Sequence, residues 1–112
     1  LYSLNPEMLR EVACITGAFR NVSVGAAWWF NDTLLGIRRN LEIVSEYAAI
    51  GTNLGMLTDS RSFSSYSRFD FFRRILSSFL GEKVDAGEYL LEDAKKLAYN
   101  ISYGNIKKLL GE

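Results

Sequence analysis

An acid and a guanidinium stand two positions apart, Asp59 and Arg61, in the stretch Gly55-Met56-Leu57-Thr58-Asp59-Ser60-Arg61-Ser62-Phe63. The apolar run 54–57, bounded upstream by Gly51 and Asn53, reads as a buried strand. It turns polar within one residue. Residues two apart on an extended chain project to the same side, so Asp59 and Arg61 would leave the carboxyl end of that strand together, where α/β folds place their chemistry. A carboxylate can move a proton or bind a metal, and a guanidinium grips a carboxylate with a planar fork. The competing reading is that Asp59 caps a turn and Arg61 is solvated.

A second cluster, Trp28-Trp29-Phe30-Asn31-Asp32, ends the segment that begins Val22-Ser23-Val24-Gly25-Ala26-Ala27. Its valines favour a strand, and its small residues admit close packing on the backbone. Neighbouring strand residues point to opposite sides, so at least one of Trp28 and Trp29 is expected in the core. The other could cover the apolar face of a sugar ring. An indole, an acid and a guanidinium on one rim suit a polar ligand that carries a carboxylate.

The elements that must position these groups follow from periodicity. Asn5-Pro6-Glu7 starts a helix with a cap, a first-turn proline and a first-turn acid. Its stripe is Met8, Leu9, Val12, Ile15 and Phe19, with Gly17 loosening the last turn. After the first strand, Asn31 or Asp32 caps a second helix with the stripe Leu34, Ile37, Leu41, Val44 and Ala48, stopped by Gly51. After the second strand, Ser62 to Tyr66 form a polar-aromatic loop. Ser67-Arg68-Phe69-Asp70 has the pattern of a capping box, with a predicted cost of about 1 kcal/mol for Ser67→Ala. Phe72, Ile75, Leu76 and Phe79 face inward on that third helix, which Gly81 weakens and Gly87 ends. A last helix begins at about Tyr89, is interrupted at Gly104 and continues through residues 106–110.

Strand end, helix, strand, helix, strand, helix, helix is the alternation of a parallel sheet with crossover helices. The 112 residues suffice for one small domain. Two strands and a stub, however, cannot form a parallel sheet covered on both faces. The expectation is therefore an α/β segment, the C-terminal portion of a (β/α)8 barrel or of a doubly wound sheet. The start on Leu1-Tyr2-Ser3-Leu4, without methionine, also suggests a piece of something longer.

Composition removes several function classes. Thirteen basic and thirteen acidic side chains balance to a net charge of zero, which favours neither nucleic acid nor an anionic membrane surface. No apolar run is long enough to span a bilayer. The one cysteine, Cys14, rules out an internal disulfide framework, fits a reducing cytoplasm and is expected to be buried in the first helix. There is no histidine, so a His-based triad or a His-rich zinc site cannot lie within this chain.

The motifs carry a specific resemblance. Gly25-Ala26-Ala27-Trp28-Trp29-Phe30-Asn31-Asp32 resembles the G-x-x-W-W-F-N-D block of the uronate isomerases, and Gly55 to Phe63 resembles their G-M-L-T-D-S-R-S-F block. Ser65-Tyr66-Ser67-Arg68 and Phe71-Phe72-Arg73-Arg74-Ile75-Leu76 resemble the family's S-Y-x-R and Y-F-R-R-I-L. The likeness runs over nearly the whole chain. It implies the C-terminal part of a distorted (β/α)8 barrel of the amidohydrolase type, residues 1–112 lying in one domain and ending in extra helices. It implies interconversion of D-glucuronate with D-fructuronate and of D-galacturonate with D-tagaturonate. It places Asp59 close to a divalent metal such as zinc and to the reacting carbons. Arg61 would bind substrate and assist proton movement, and Trp28 would line the substrate pocket. The partners implied are the uronate and the rest of the barrel, with a homo-oligomer open.

The departures are the family's His-x-His metal motif and a further site histidine, neither of which is in this chain, and Phe71 where the family has tyrosine. The chain alone is thus expected to hold neither a complete metal site nor activity. Two other readings are a metal-dependent hydrolase on the same barrel and a small helical interaction domain that exposes its aromatics to a partner.

Overall fold

The backbone of residues 22–26 lies between two others. The computed structural model describes residues 1–26 and 29–112. Successive residues of an extended chain offer their peptide groups to opposite edges. On one edge, Gly25 N–H donates to the Leu1 carbonyl at 3.1 Å and the Leu1 amino group donates to the Ser23 carbonyl at 2.5 Å. On the other, Leu54 N–H donates to the Val24 carbonyl at 2.9 Å and Ala26 N–H to the Gly55 carbonyl at 2.8 Å. The second pairing closes a parallel bridge between Ala26 and Met56. The expected strands are thus reduced, among the described residues, to this bridge and the hydrogen bonds beside it. Their parallel sense and their spatial order, chain start, residues 22–26, residues 54–57, are present. Trp28 lies outside the described residues.

The described residues are mostly helical: α1 (Leu9–Ala18), α2 (Leu34–Tyr47), α3 (Ser67–Asp85), α4 (Leu91–Tyr99) and α5 (Asn105–Leu110). Between α4 and α5 runs a π-helical segment, Asn100–Gly104. One apolar cluster joins the bridge residues Ala26 and Met56 to Ile37 and Leu41 of α2, Phe72, Ile75, Leu76 and Phe79 of α3, Ala94 of α4 and Ile101 of the π segment. Helices with one such stripe bury it against a partner and keep the polar face wet. Across the outer faces of α2 and α3, Arg38 donates to Glu82 and also pairs with Glu42 at 3.4 Å. That hydrogen bond holds the Glu82 carboxyl below its ordinary range. Glu82 is exposed and Arg38 half-buried at the surface, so the pair adds little to stability.

Several local expectations are corrected. Helix α2 is capped by Thr33, whose hydroxyl accepts from Gly36 N–H at 2.9 Å, and not by Asn31 or Asp32. It ends at Tyr47, so Gly51 falls in a later turn, Ile50–Thr52. Leu34 of its stripe is exposed. The Ser67 capping box does not form. Residues Phe63–Tyr66 make a 3-10 turn that feeds α3 directly, the Ser67 hydroxyl donates to the Ser64 carbonyl at 2.8 Å, and Asp70 pairs with Arg74 at 2.8 Å. On α1 only Leu9 and Ala13 are buried, Ile15 and Cys14 are exposed, and so are Met8 and Phe19 at its two ends. Gly17 lies in the last turn of that helix. It allows close contact with α2, since a Cβ there would stand 2.2 Å from the Tyr47 carbonyl oxygen.

The observed cap replaces the earlier stability expectation. Thr33→Ala should cost about 1 kcal/mol, because it strands a first-turn amide. An unchanged midpoint in urea denaturation of the full-length protein would refute the cap.

Candidate functional site

The chain leaves residues 54–57 through Thr58 and turns sharply. Asp59 has φ 45°, and Trp29, at the exit of the other parallel segment, has φ 60°. These are the two non-glycine residues with positive φ among those described. L-residues other than Asn, Asp and Gly adopt the left-handed region rarely, and such backbone concentrates at functional sites. Because the paired segments are parallel, both exits lie on the same rim.

A cavity of about 760 Å³ opens at the Asp59 exit. Asp59, Ser60 and Arg61 line it together with Arg73 of α3. The rest of its lining is mostly apolar and includes Leu54, Met56, Phe72, Ile101, Ile106 and Leu109, with Tyr2 and Ser102 beside them. The two residues singled out by spacing therefore share one hollow. The cause differs from the expected one: the left-handed Asp59 breaks strand alternation, so a turn and not a continuing strand brings both to the cavity. Both side chains are exposed, and among the described residues neither is in an ion pair. Tyr2 is half-buried, and burial raises its phenol above the ordinary value.

Sequence reasoning gave no role to Arg73 or to Arg68. Arg73 adds a second guanidinium to the lip of the cavity. Arg68 forms an ion pair with Asp32 and donates to the Thr58 carbonyl at 3.3 Å. It joins the two chain exits. The recognisable Ser65-Tyr66-Ser67-Arg68 motif was the one available signal for it.

The arrangement can hold an anion through Arg61 and Arg73 while Asp59 accepts a proton from it. It does not make a metal centre by itself. Among the described residues no three His, Cys, Asp or Glu side chains come together, and Asp59 is the one carboxylate on the cavity.

Comparison with known proteins agrees with the motifs. The family model described as glucuronate isomerase matches residues 1–110. A uronate isomerase of Lactococcus lactis subsp. cremoris is 41% identical over 99% of this chain and 25% of its own length. One from Thermotoga petrophila is 43% identical over 97% of the chain and 24% of its own length. The crystal structure of uronate isomerase from Thermotoga maritima superposes with a TM-score of 0.93 at 40% identity, over 97% of this chain and 24% of that one. The chain spans about a quarter of the length of these relatives. With nearly its whole length matched, the chain belongs to the glucuronate isomerase family.

Proposed function

We propose that the protein is a uronate isomerase to which this chain contributes the C-terminal rim of a (β/α)8 barrel, as part of a single domain. The support is the juxtaposition of Asp59 and Arg61 on one cavity, at the exit of a parallel segment, in a chain of this family. The order of the three paired segments and the helices between them is that of consecutive βα units. Phe30, Phe63 and Leu90, exposed at 71, 86 and 74%, are apolar surface for the rest of the barrel to cover.

The reaction is an aldose–ketose isomerisation. Asp59 takes the proton at C2 of the open-chain uronate. The electron pair moves toward the aldehyde oxygen, which is protonated to give an enediol. Loss of the O2 proton to solvent and return of the proton from Asp59 to C1 give the ketose, with its carbonyl at C2 and the carboxylate still at C6. Arg61 holds the substrate and offsets the charge that develops on oxygen. Trp28 is assigned to the pocket wall by its motif. A divalent metal such as zinc would need ligands beyond those described, and the steps above are those of Asp59 and Arg61. Among the described residues no helix is long and apolar enough to cross a membrane. A small sugar-acid substrate fits a cytoplasmic enzyme.

The test uses the full-length polypeptide that contains this sequence, assayed with D-glucuronate and D-galacturonate. The wild type is expected to isomerise at least one of them. Arg61→Lys keeps a charge but loses the planar fork, and should lower kcat/KM about 100-fold. Wild-type kcat/KM in that variant would remove Arg61 from the site.

A further inference from the structure

We infer that Arg68 is a positioning residue: it locks the two chain exits to each other and thereby fixes the backbone from which the Asp59 carboxylate projects. The inference rests on the isomerase reading above. One guanidinium nitrogen of Arg68 pairs with the Asp32 carboxylate, beyond the exit of residues 22–26. Another donates to the carbonyl of Thr58, the residue that precedes Asp59. Asp59 then enters its left-handed turn. A left-handed residue persists only where its surroundings hold it, and the Thr58 carbonyl is the fixed end of that turn.

The placement of the charge argues for this task over helix stability. Arg68 is the second residue of α3, where the positive end of the helix dipole disfavours a cation. Asp32 stands just before Thr33, the cap of α2, where an anion is favoured. The pair is mostly shielded, with side-chain exposures of 29% for Arg68 and 17% for Asp32. A guanidinium reaches two acceptors in fixed geometry, and an ammonium on a flexible stem does not.

The experiment begins with the wild-type full-length enzyme and D-glucuronate. Arg68→Lys keeps the charge and loses the fork, while Asp32→Asn removes the anchor and keeps its shape. Each should lower kcat about 10- to 100-fold, the range that follows misplacement of a reacting group. KM should stay within about two-fold, as expected when ground-state binding is untouched. The primary isotope effect with substrate deuterated at C2 should grow, and the thermal midpoint should stay near that of the wild type. A purely structural role would move the midpoint and leave the isotope effect alone. The double variant should be no slower than the slower single one, since the two groups act as a unit. Unchanged kcat in both single variants, a rise in KM alone, or independent multiplying effects would overturn the inference. Should Arg68→Lys fail to fold, Asp32→Asn carries the same readouts. A wild-type enzyme that turns over no uronate overturns the isomerase reading itself, and with it the role of Arg68, before any variant is made.

Discussion

Asp59→Asn should lower kcat of the full-length enzyme by about 10²- to 10⁴-fold, the usual contribution of a positioned general base. Asparagine is the informative replacement. It has nearly the same shape, it cannot accept the C2 proton as a carboxylate does, and it tolerates left-handed backbone as aspartate does. The φ of 45° at this position is therefore kept without new strain. An alanine variant would mix lost chemistry with a backbone penalty. The measurement pairs turnover of D-glucuronate with a thermal melt of the same sample. A variant that melts like the wild type and keeps most of its turnover would take Asp59 out of the reaction.

Gly55→Ala should destabilise the protein by about 2–5 kcal/mol, combining left-handed strain with overpacking. Gly55 has φ 72°, and a Cβ there would stand 2.4 Å from the carbonyl oxygen of Ile101. That oxygen belongs to backbone, so no side-chain rotation relieves the clash. Gly81→Ala is the matched control. Its Cβ would meet nothing within 4 Å, and alanine is the better helix former by about 1 kcal/mol. Urea denaturation of both variants should move their midpoints in opposite directions. A Gly55→Ala protein with the wild-type midpoint would mean that the π segment does not press on residues 54–57 as described.

Helix existence and burial were legible where one stripe was strongly periodic. Phe72, Ile75, Leu76 and Phe79 of α3, and Ile37, Leu41 and Val44 of α2, are all buried as their spacing predicts. Helix α1 was less legible. Its apolar residues outnumber the positions that α2 covers, so Ile15 and Cys14 stay exposed. The first cap was legible, since Asn5 accepts from Glu7 N–H at 3.0 Å just before Pro6, whereas the cap of α2 was missed for a tertiary reason. Asn31, Asp32 and Thr33 are all competent, but Asn31 is buried with its amide donating to the Ser3 carbonyl at 2.9 Å, and Asp32 is taken by Arg68. Thr33 is what remained. On the cavity, the shared placement of Asp59 and Arg61 could be read from a polar switch at the end of an apolar run. Arg68 could not, because its two partners come from other segments and no local spacing brings them together.

The π-helical turn at Asn100–Gly104 sets the angular phase of everything after it. A π turn accommodates one residue more than an α turn, and one residue corresponds to about 100° of rotation in an α-helix. Ile106 and Leu109 look into the cavity because that residue is present. Asn105, at the start of α5, donates to the carbonyls of Gly51 and Asn53 at 2.7 and 2.8 Å and so pins the rotated helix to the entrance of residues 54–57. A homologue shortened by one residue in this turn would swing its last helix by roughly a quarter circle, and would need different side chains to rebuild the same wall.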